Sequence, residues 1–192
     1  MTFSSVADNL VNGDTNKTDD VFVRDLVSGT TELVSISSEG VQGNNYSNFS
    51  SISADGRYVA FSSGADNLVN GDTNKTDDVF VRDLVSRTTE LVSISSEGVK
   101  GNGSSFSPSM SADGRYVAFE SNADNLVNGD TNNTTDVFVR DLVSGTTTRV
   151  PILSNPADFD AQLSKFPTIS ADGRYVAFHS YGDIFVRDLQ RL

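Results

Sequence analysis

The string SADGRYVAF at residues 111–119 decides the fold, because it occurs three times in the chain. It begins at Ser53, Ser111 and Ser170, at intervals of 58 and 59 residues. Its Asp-Gly pair is a strong signal for a two-residue turn, and the apolar run after it is typical of a strand that is covered on both faces. The string therefore predicts a β-hairpin that recurs once per repeat.

Two further strings recur in step with this hairpin. ADNLVNGDTN begins at Ala7, Ala65 and Ala123, and VFVRDL begins at Val21, Val79 and Val137, with IFVRDL at Ile184. Residues 7–41 and 65–99 are identical except that Gly29 in the first copy corresponds to Arg87 in the second. The chain is therefore a tandem repeat, and its fold can be predicted repeat by repeat.

Each repeat contains the pattern of four short strands. In the third copy these strands are predicted at 107–112, 115–119, 136–142 and 146–150. The first two strands flank the Asp-Gly turn, and a Ser-Gly turn separates the last two. No segment shows the spacing of an amphipathic helix over a useful length.

Four antiparallel strands repeated at a regular interval are the pattern of propeller blades, and a single blade cannot bury both of its faces. We therefore predict an all-β chain, a β-propeller of four-stranded antiparallel blades with about three and a half repeats. The chain 1–192 is expected to form a single propeller unit. Its repeats span approximately residues 1–49 (partial), 50–107, 108–166 and 167–192 (partial). A β-sandwich and a β-solenoid are the alternative all-β interpretations.

The repeated motif also resembles a known family. The pattern (P/S)-x-(I/M)-S-A-D-G-R-Y-V-A-F, followed by D-(V/I)-F-V-R-D-L, resembles the TolB-like propeller repeat, which is related in layout to WD repeats. The resemblance covers essentially the whole chain and implies that the Ser-x-Asp-Gly hairpin joins the innermost and second strands of each blade. Members of this family serve as binding platforms, as domains of exported proteins and as gating domains of peptidases. The resemblance therefore implies a fold without fixing a function.

The composition excludes several classes of protein. With 14 basic and 26 acidic residues the formal net charge is −12, which attracts cations and repels polyanions, so no nucleic-acid binding is expected. No stretch approaches the roughly 20 apolar residues that span a bilayer, so no integral membrane protein is expected. The absence of cysteine rules out disulfides and thiolate metal sites.

Three of the repeats carry an acidic insert between the second and third strands, at residues 12–20, 70–78 and 128–136. Each insert contains D-x-N-x-x-x-D, and Ca²⁺ takes six to eight oxygen ligands of this kind, often with backbone carbonyls. The inserts are therefore predicted to bind structural Ca²⁺. The predicted ligands are Asp14, Asn16, Asp20, Asp72, Asn74, Asp78, Asp130, Asn132 and Asp136. The alternative is that these residues only form Asx-turns that shape a long connection.

The sequence shows no obvious catalytic constellation. The sole histidine, His179, is expected at a solvent-facing strand end, and no G-x-S-x-G motif is present. Because the acidic residues recur in every copy, they favour structural repetition over a single catalytic site, and we predict that the chain is not an enzyme. The Arg-Asp pairs are predicted to form hydrogen bonds and ion pairs at strand ends. These pairs are Arg24-Asp25, Arg82-Asp83, Arg140-Asp141 and Arg187-Asp188.

The first repeat lacks its innermost strand and the last lacks its outermost strand, which leaves sheet edges open to association. We predict a homo-oligomer, with a dimer favoured, that completes a propeller ring; a segment of a longer chain and a compact four-bladed monomer are the alternatives. The predicted function is a non-enzymatic scaffold or interaction module for a protein or glycan ligand. The alternatives are a carbohydrate-binding propeller lectin and the gating or substrate-binding propeller segment of a larger hydrolase. The resemblance implies an exported or cell-surface location, but residues 1–30 contain no signal peptide, so the compartment stays open.

Overall fold

The chain folds into four small antiparallel β-sheets that follow one another along the sequence. In the computed structural model, which describes residues 1–150 and 163–191, the sheets contain three, four, four and three strands. Neighbouring strands within a sheet are consecutive in the chain, so each sheet is a meander. We call the sheets blades 1 to 4 in chain order. Residues 151–162 of the predicted unit 108–166, and the last residue of unit 167–192, lie outside the described residues.

The strand bounds confirm the predicted all-β architecture of antiparallel blades. Blade 1 consists of β1 (Thr2–Ser5), β2 (Asp20–Arg24) and β3 (Thr31–Leu33); blade 2 of β4 (Ser47–Ile52), β5 (Tyr58–Ser63), β6 (Asp78–Asp83) and β7 (Thr88–Leu91); blade 3 of β8 (Ser105–Met110), β9 (Tyr116–Ser121), β10 (Asp136–Asp141) and β11 (Thr146–Arg149); blade 4 of β12 (Ser164–Ile169), β13 (Tyr175–Ser180) and β14 (Asp183–Asp188). One turn of 3-10 helix, Leu189–Arg191, follows β14. No helix in the described part of the chain is long and apolar enough to cross a membrane.

The innermost strand of each complete blade contains a bulge that the sequence pattern did not reveal. β8 begins at Ser105 rather than at residue 107, and its pairing with β9 shifts register between Phe106 and Ser109. Ser107 lies at this shift with a positive φ of 53°. An extra residue of this kind bends the strand, which explains why the predicted bounds are displaced. Equivalent register shifts occur in β4 and β12.

The apolar core lies between successive blades rather than inside one sheet. Because successive strand residues point to opposite faces, Val79 joins the cluster shared with blade 3, whereas Phe80 joins the cluster shared with blade 1. A third cluster joins blades 3 and 4. Within blade 2, Phe80 stacks on Phe61 with ring centroids 5.8 Å apart, and blade 3 repeats this pair. The second and third strands are therefore apolar on both faces because each face meets a different blade.

The SADGRYVAF hairpins form a second line of contact between blades. The backbone nitrogen of Ala54 donates to the carbonyl oxygen of Ala112, and the nitrogen of Ala112 donates to the carbonyl of Ala171, each at 2.9 Å. Gly114 lies in the turn with φ +74° and packs directly against the Tyr58 ring of the preceding blade. A Cβ at this position would overlap that ring, so the turn needs glycine for both its conformation and its packing.

In blades 2 and 3 the Arg-Asp pairs make the strand-end contacts that the sequence predicted, but the two members of a pair act separately. In blade 1, Asp25 instead accepts hydrogen bonds from the backbone nitrogens of Val27 and Ser28. Asp141 accepts hydrogen bonds from Arg115 of the same blade, at 3.0 Å from Nε and 2.7 Å from Nη2. Arg140 instead donates to the carbonyl oxygen of Ser95 at 3.0 Å, in the connection that enters blade 3. The aspartate therefore forms an ion pair within its own blade, and the arginine forms a hydrogen bond to the segment that precedes the blade.

Blade 4 leaves apolar side chains of its third strand exposed. Ile184 and Val186 of β14 are 69% and 60% exposed, whereas Val137 and Val139 at the same positions of blade 3 are 0% and 5% exposed. In blade 3 the corresponding face is covered by blade 4. The outer face of blade 4 thus presents a surface that the repeat elsewhere buries.

We expect Gly114→Ala to destabilise the protein more than Gly56→Ala. Both glycines occupy the same turn position with φ +74°, but a Cβ at Gly56 has no atom within 4 Å, whereas one at Gly114 overlaps Tyr58. In both variants the positive φ should lower the free energy of unfolding by about 1–2 kcal/mol. In Gly114→Ala, overpacking against Tyr58 should lower it by roughly 1–3 kcal/mol more. Urea unfolding of the two variants would measure the difference, and equal losses would contradict the packing role.

Candidate metal centre in the acidic inserts

Each acidic insert connects the second and third strands of its blade and also contacts the next blade. The carbonyl oxygen of Asp19 accepts a hydrogen bond from the backbone nitrogen of Ser47 at 2.6 Å, and that of Asp77 accepts one from Ser105 at 2.7 Å. The third insert makes the same bond to the first residue of β12. The inserts therefore tie each blade to the innermost strand of its successor.

The two aspartates of the D-x-N-x-x-x-D motif are buried in each insert. In the second insert Asp72 is 7% exposed and Asp78 is fully buried, and the equivalent residues of the other inserts are buried to a similar extent. Asp78 begins β6, and its Oδ1 accepts a hydrogen bond of 2.6 Å from the hydroxyl of Ser93. Asp20 accepts the same bond from Ser35. Two buried carboxylates close together need positive or hydrogen-bonding partners, because burial of an unpaired charge is strongly unfavourable.

The asparagine of each insert shapes the loop. The Oδ1 atom of Asn74 accepts a hydrogen bond from the backbone nitrogen of Thr76 at 3.1 Å, which is an Asx-turn. Its Nδ2 donates to Asp78 Oδ2 and to the carbonyl oxygen of Gly101, each at 3.0 Å. The other two inserts contain the same turn. The Asx-turn interpretation thus fits the asparagines, and the metal prediction stays a prediction that depends mainly on the aspartates.

In the first insert, Gln42 bridges the two carboxylates. Its Nε2 donates to Asp14 Oδ1 at 2.8 Å and to Asp20 Oδ2 at 2.9 Å. Its Oε1 accepts a hydrogen bond of 3.0 Å from the backbone nitrogen of Thr15, which orients the amide so that the nitrogen faces the carboxylates. A neutral donor therefore lies between the two aspartates of this insert.

In the third insert, Arg149 takes the bridging role with a positive charge. Its Nη1 lies 2.9 Å from Asp130 Oδ1 and 3.4 Å from Asp136 Oδ2. Charge-assisted hydrogen bonds of this kind are stronger than neutral ones. The guanidinium therefore compensates part of the negative charge that the insert buries.

The second insert has no such bridge. Among the three inserts, all of which the structure describes, only here does a buried carboxylate oxygen, Asp72 Oδ1, lack a hydrogen-bond partner. The buried hydroxyl of Thr76 also lacks one, as does the equivalent hydroxyl of Thr18 in the first insert, so the carboxylate oxygen is the feature that distinguishes the second insert. Lys100 occupies the repeat position of Gln42, but its Nζ donates to the carbonyl oxygen of Asn70 at 3.3 Å. The second insert thus combines two buried carboxylates with two unbonded oxygens.

Burial raises the pKa of the insert carboxyls. Desolvation is the largest cause at Asp78 and Asp136, and it raises the pKa of each to about 6. The pKa values of Asp20, Asp72 and Asp130 are also raised, again mainly by desolvation. The protein's own hydrogen bonds therefore compensate these charges only in part, and a cation at the carboxylates would be stabilising.

The bridging residues were not among the predicted site residues, because they come from the outer strand or from the connection after it. Comparison of the repeats nevertheless marks their positions, because the copies differ there. Gln42 and Lys100 share one repeat position, and Arg149 stands where the other copies have Leu33 and Leu91. Within the part of the chain that the structure describes, no three acidic or histidine side chains converge on one point, so a metal would rely on uncharged oxygens as well. His179 lies in β13 of blade 4, which has no insert.

Solved structures identify what the four blades resemble. TolB from Acinetobacter baumannii is 20% identical, and the match covers 94% of this chain and 37% of that chain with a TM-score of 0.55. A protein assigned as TolB from Agrobacterium tumefaciens is 16% identical over 98% of this chain and 57% of that one, with a TM-score of 0.62. The chain has a TolB-like propeller fold. The family resemblance of the SADGRYVAF repeat is thereby confirmed at the level of the fold.

The propeller domain of a protease is also similar to this chain. The β-propeller domain of the Trilobed protease from Pyrococcus furiosus is 12% identical over 88% of this chain and 46% of that chain, with a TM-score of 0.50. This chain thus spans only 37–57% of the length of these structures. No protein-family model and no curated protein matches the sequence. At such identities the likeness concerns the fold alone.

We expect the TolB-like propeller, freed of metal by EDTA, to become more stable as the pH falls from 7 to about 5. The folded pKa of Asp78 and of Asp136 is about 6, above the usual value near 4, so folding is favoured by proton uptake in this window. Below about pH 4 the stability should instead decrease as the pH falls further. Arg57 and Arg115 lower the pKa of Asp83 and Asp141, and these ion pairs are lost when the aspartates become protonated.

Thermal unfolding followed by circular dichroism between pH 4 and pH 7 would measure this dependence. Asp78→Asn removes one of the two carboxylates and should reduce the rise in melting temperature. A melting temperature that falls steadily from pH 7 to pH 5 in the parent protein would contradict the raised pKa values.

Proposed function

We propose that this chain is a non-enzymatic interaction scaffold whose acidic inserts bind Ca²⁺ as a structural ion, with the second insert as the best-supported site. The observation that carries the proposal is Asp72, a buried carboxylate whose Oδ1 has no hydrogen-bond partner although it lies beside a second buried aspartate. A buried carboxylate with one unbonded oxygen is incompletely compensated, and a cation bound at that oxygen would be stabilising. The net charge of −12 also favours cation binding.

The donor set of the second insert suits calcium. Asp72, Asp78 and the hydroxyl of Thr76 offer hard oxygen atoms, and backbone carbonyls of the insert could complete a shell of six to eight. Zinc prefers nitrogen and sulfur ligands, which this insert does not supply. The chemistry that the ion provides is charge compensation and loop ordering.

The position of the insert indicates what the ion would do for the protein. The carbonyl oxygen of Asp77 bonds to the first residue of β8, so the ordered insert holds blade 3 against blade 2. Calcium at Asp72 and Asp78 would therefore stabilise the junction between two blades. A rigid junction is what an interaction scaffold requires, and the repetition of the insert in three blades supports a structural role over a catalytic one.

Calcium should raise the thermal stability of EDTA-treated protein. At a free concentration of about 100 Kd, one site that binds only the folded state contributes about 2.7 kcal/mol, or roughly 5–10 °C for a chain of this length. The double variant Asp72→Ala/Asp78→Ala should lose this site in a calorimetric titration. The matched control is Glu90→Ala/Glu97→Ala, which removes two exposed charges from the same repeat. Absence of both heat and stabilisation at millimolar Ca²⁺ in the parent protein would refute the calcium proposal.

The scaffold also has an exposed surface for association. Ile184 and Val186 occupy positions that the preceding blades bury against their successors, and they support packing of blade 4 against a further blade. We propose that a second copy of the chain supplies this contact and that the resulting homodimer shares one propeller ring. An apolar junction of the kind that already joins blades 3 and 4 would then form between copies.

Light scattering should give twice the chain mass of 20.6 kDa for the parent protein. Ile184→Asp/Val186→Asp should yield monomers, because two charges would be buried at the junction. The control Val27→Asp/Val85→Asp changes two exposed apolar residues elsewhere and should leave the dimer intact. At a chain concentration of about 100 micromolar, a dimer with a dissociation constant of about 1 micromolar would be almost fully formed. A parent protein that is still monomeric at this concentration would exclude this interface.

A further inference from the structure

Arg149 departs from the repeat pattern directly beside the two buried aspartates of the third insert. The first two repeats have Leu33 and Leu91 at the position opposite the phenylalanine of the third strand, and the third repeat has Arg149 there, opposite Phe138. The change from leucine to arginine brings a cation into a region that already contains two buried aspartates. The substitution thus affects the charge of the site rather than only the packing of β11.

The geometry places this cation where a metal ion would need to lie. Nη1 of Arg149 is 2.9 Å from Asp130 Oδ1 and 3.4 Å from Asp136 Oδ2, so one nitrogen contacts both carboxylates. The carboxylate side chains are only 3% exposed, and the arginine side chain is 19% exposed. A divalent ion could bind these oxygens only by displacing the guanidinium, which would then lose both partners.

In the second insert no cation bonds to the corresponding carboxylates, and the charge of Lys100 lowers their pKa values only from a distance. Asp72 and Asp78 correspond to Asp130 and Asp136, but Asp72 Oδ1 has no partner and Lys100 bonds to a backbone carbonyl instead. The two inserts therefore differ in whether a protein cation already bridges the aspartates, although their D-x-N-x-x-x-D motifs are the same.

We infer that Arg149 is a built-in counter-cation that occupies the calcium position of the third insert and prevents Ca²⁺ from binding there. The inference rests on the proposed function, because it concerns which inserts take the ion. It implies that the third insert stabilises the junction of blades 3 and 4 without metal. Junctions within one chain would then differ in their sensitivity to calcium.

The variant Arg149→Leu tests this inference, because leucine is the residue that the other two repeats carry at the same position. Calorimetric titration of EDTA-treated Arg149→Leu should reveal one more calcium ion per chain than the parent protein binds. Without calcium this variant should have a lower melting temperature than the parent, and calcium should raise that temperature more than it does in the parent. Arg149→Met, which keeps a long side chain without a charge or a hydrogen-bond donor, should show the same gain if leucine impairs folding.

Two controls isolate the site from the change in net charge. Arg87→Gly removes an arginine and introduces the residue that the first repeat has at that position, Gly29, so it should leave the number of bound ions unchanged. Asp130→Ala should abolish the extra ion in the Arg149→Leu background but leave the ion count of the parent protein unchanged.

The outcomes separate this inference from the proposed function. If the parent binds calcium and a folded Arg149→Leu or Arg149→Met variant gains no ion, the counter-cation role is refuted while calcium binding stands. Loss of an ion from the parent on Asp130→Ala also refutes it. A gain in Arg149→Leu with no binding to the parent supports the counter-cation role and refutes calcium at the second insert. Failure of both parent and variants to bind calcium overturns both proposals.

Discussion

A blade of three or four strands cannot bury both of its faces, and the contact between neighbouring blades is the constraint on which the structure depends. The third strand shows this directly, since Val79 packs towards blade 3 and the next residue, Phe80, packs towards blade 1. The polar contacts follow the same rule, because the hairpin of one blade bonds through Ala112 to the hairpin of the next at Ala171. A change at such a position acts on two blades at once, whereas the exposed difference between Gly29 and Arg87 is tolerated.

The acidic inserts place an electrostatic cost on this junction, and in two of the three inserts a residue from the outer strand or from the connection after it bridges the carboxylates. Each insert buries two carboxylates, and desolvation keeps the pKa of Asp78 and Asp136 well above normal. The compensating group differs from blade to blade, from the neutral amide of Gln42 to the guanidinium of Arg149. The three inserts therefore share the buried carboxylate pair and the backbone hydrogen bond to the next blade. They differ in the group that compensates the carboxylates.

The sequence predicted the fold well because its signals are local and repeated. The Asp-Gly turn, the apolar run after it and the alternation of the third strand each depend on neighbours in the chain, so hairpins and blades could be read from the string alone. The bulge at Ser107 escaped prediction, because its register shift is set by pairing with β9 rather than by composition. The candidate site was predicted only in part. The burial of the aspartates and their bridging by Gln42 or Arg149 depend on side chains from another strand or connection.

Near-identity between repeats does not make their sites equivalent. The first two inserts have the same residues at every position from Asp14 to Asp20 and from Asp72 to Asp78, yet Gln42 bridges one pair and Lys100 leaves the other open. The difference arises from a single position in the connection to the next blade, which is also the segment that the insert contacts. Divergence of one connecting residue can thus alter the charge balance of a buried site while the motif, the turn and the blade remain unchanged. In this protein the charge balance of each insert is thus determined by residues outside the insert motif, in the following connection at Gln42 and Lys100 or in the outer strand at Arg149, rather than by the motif itself.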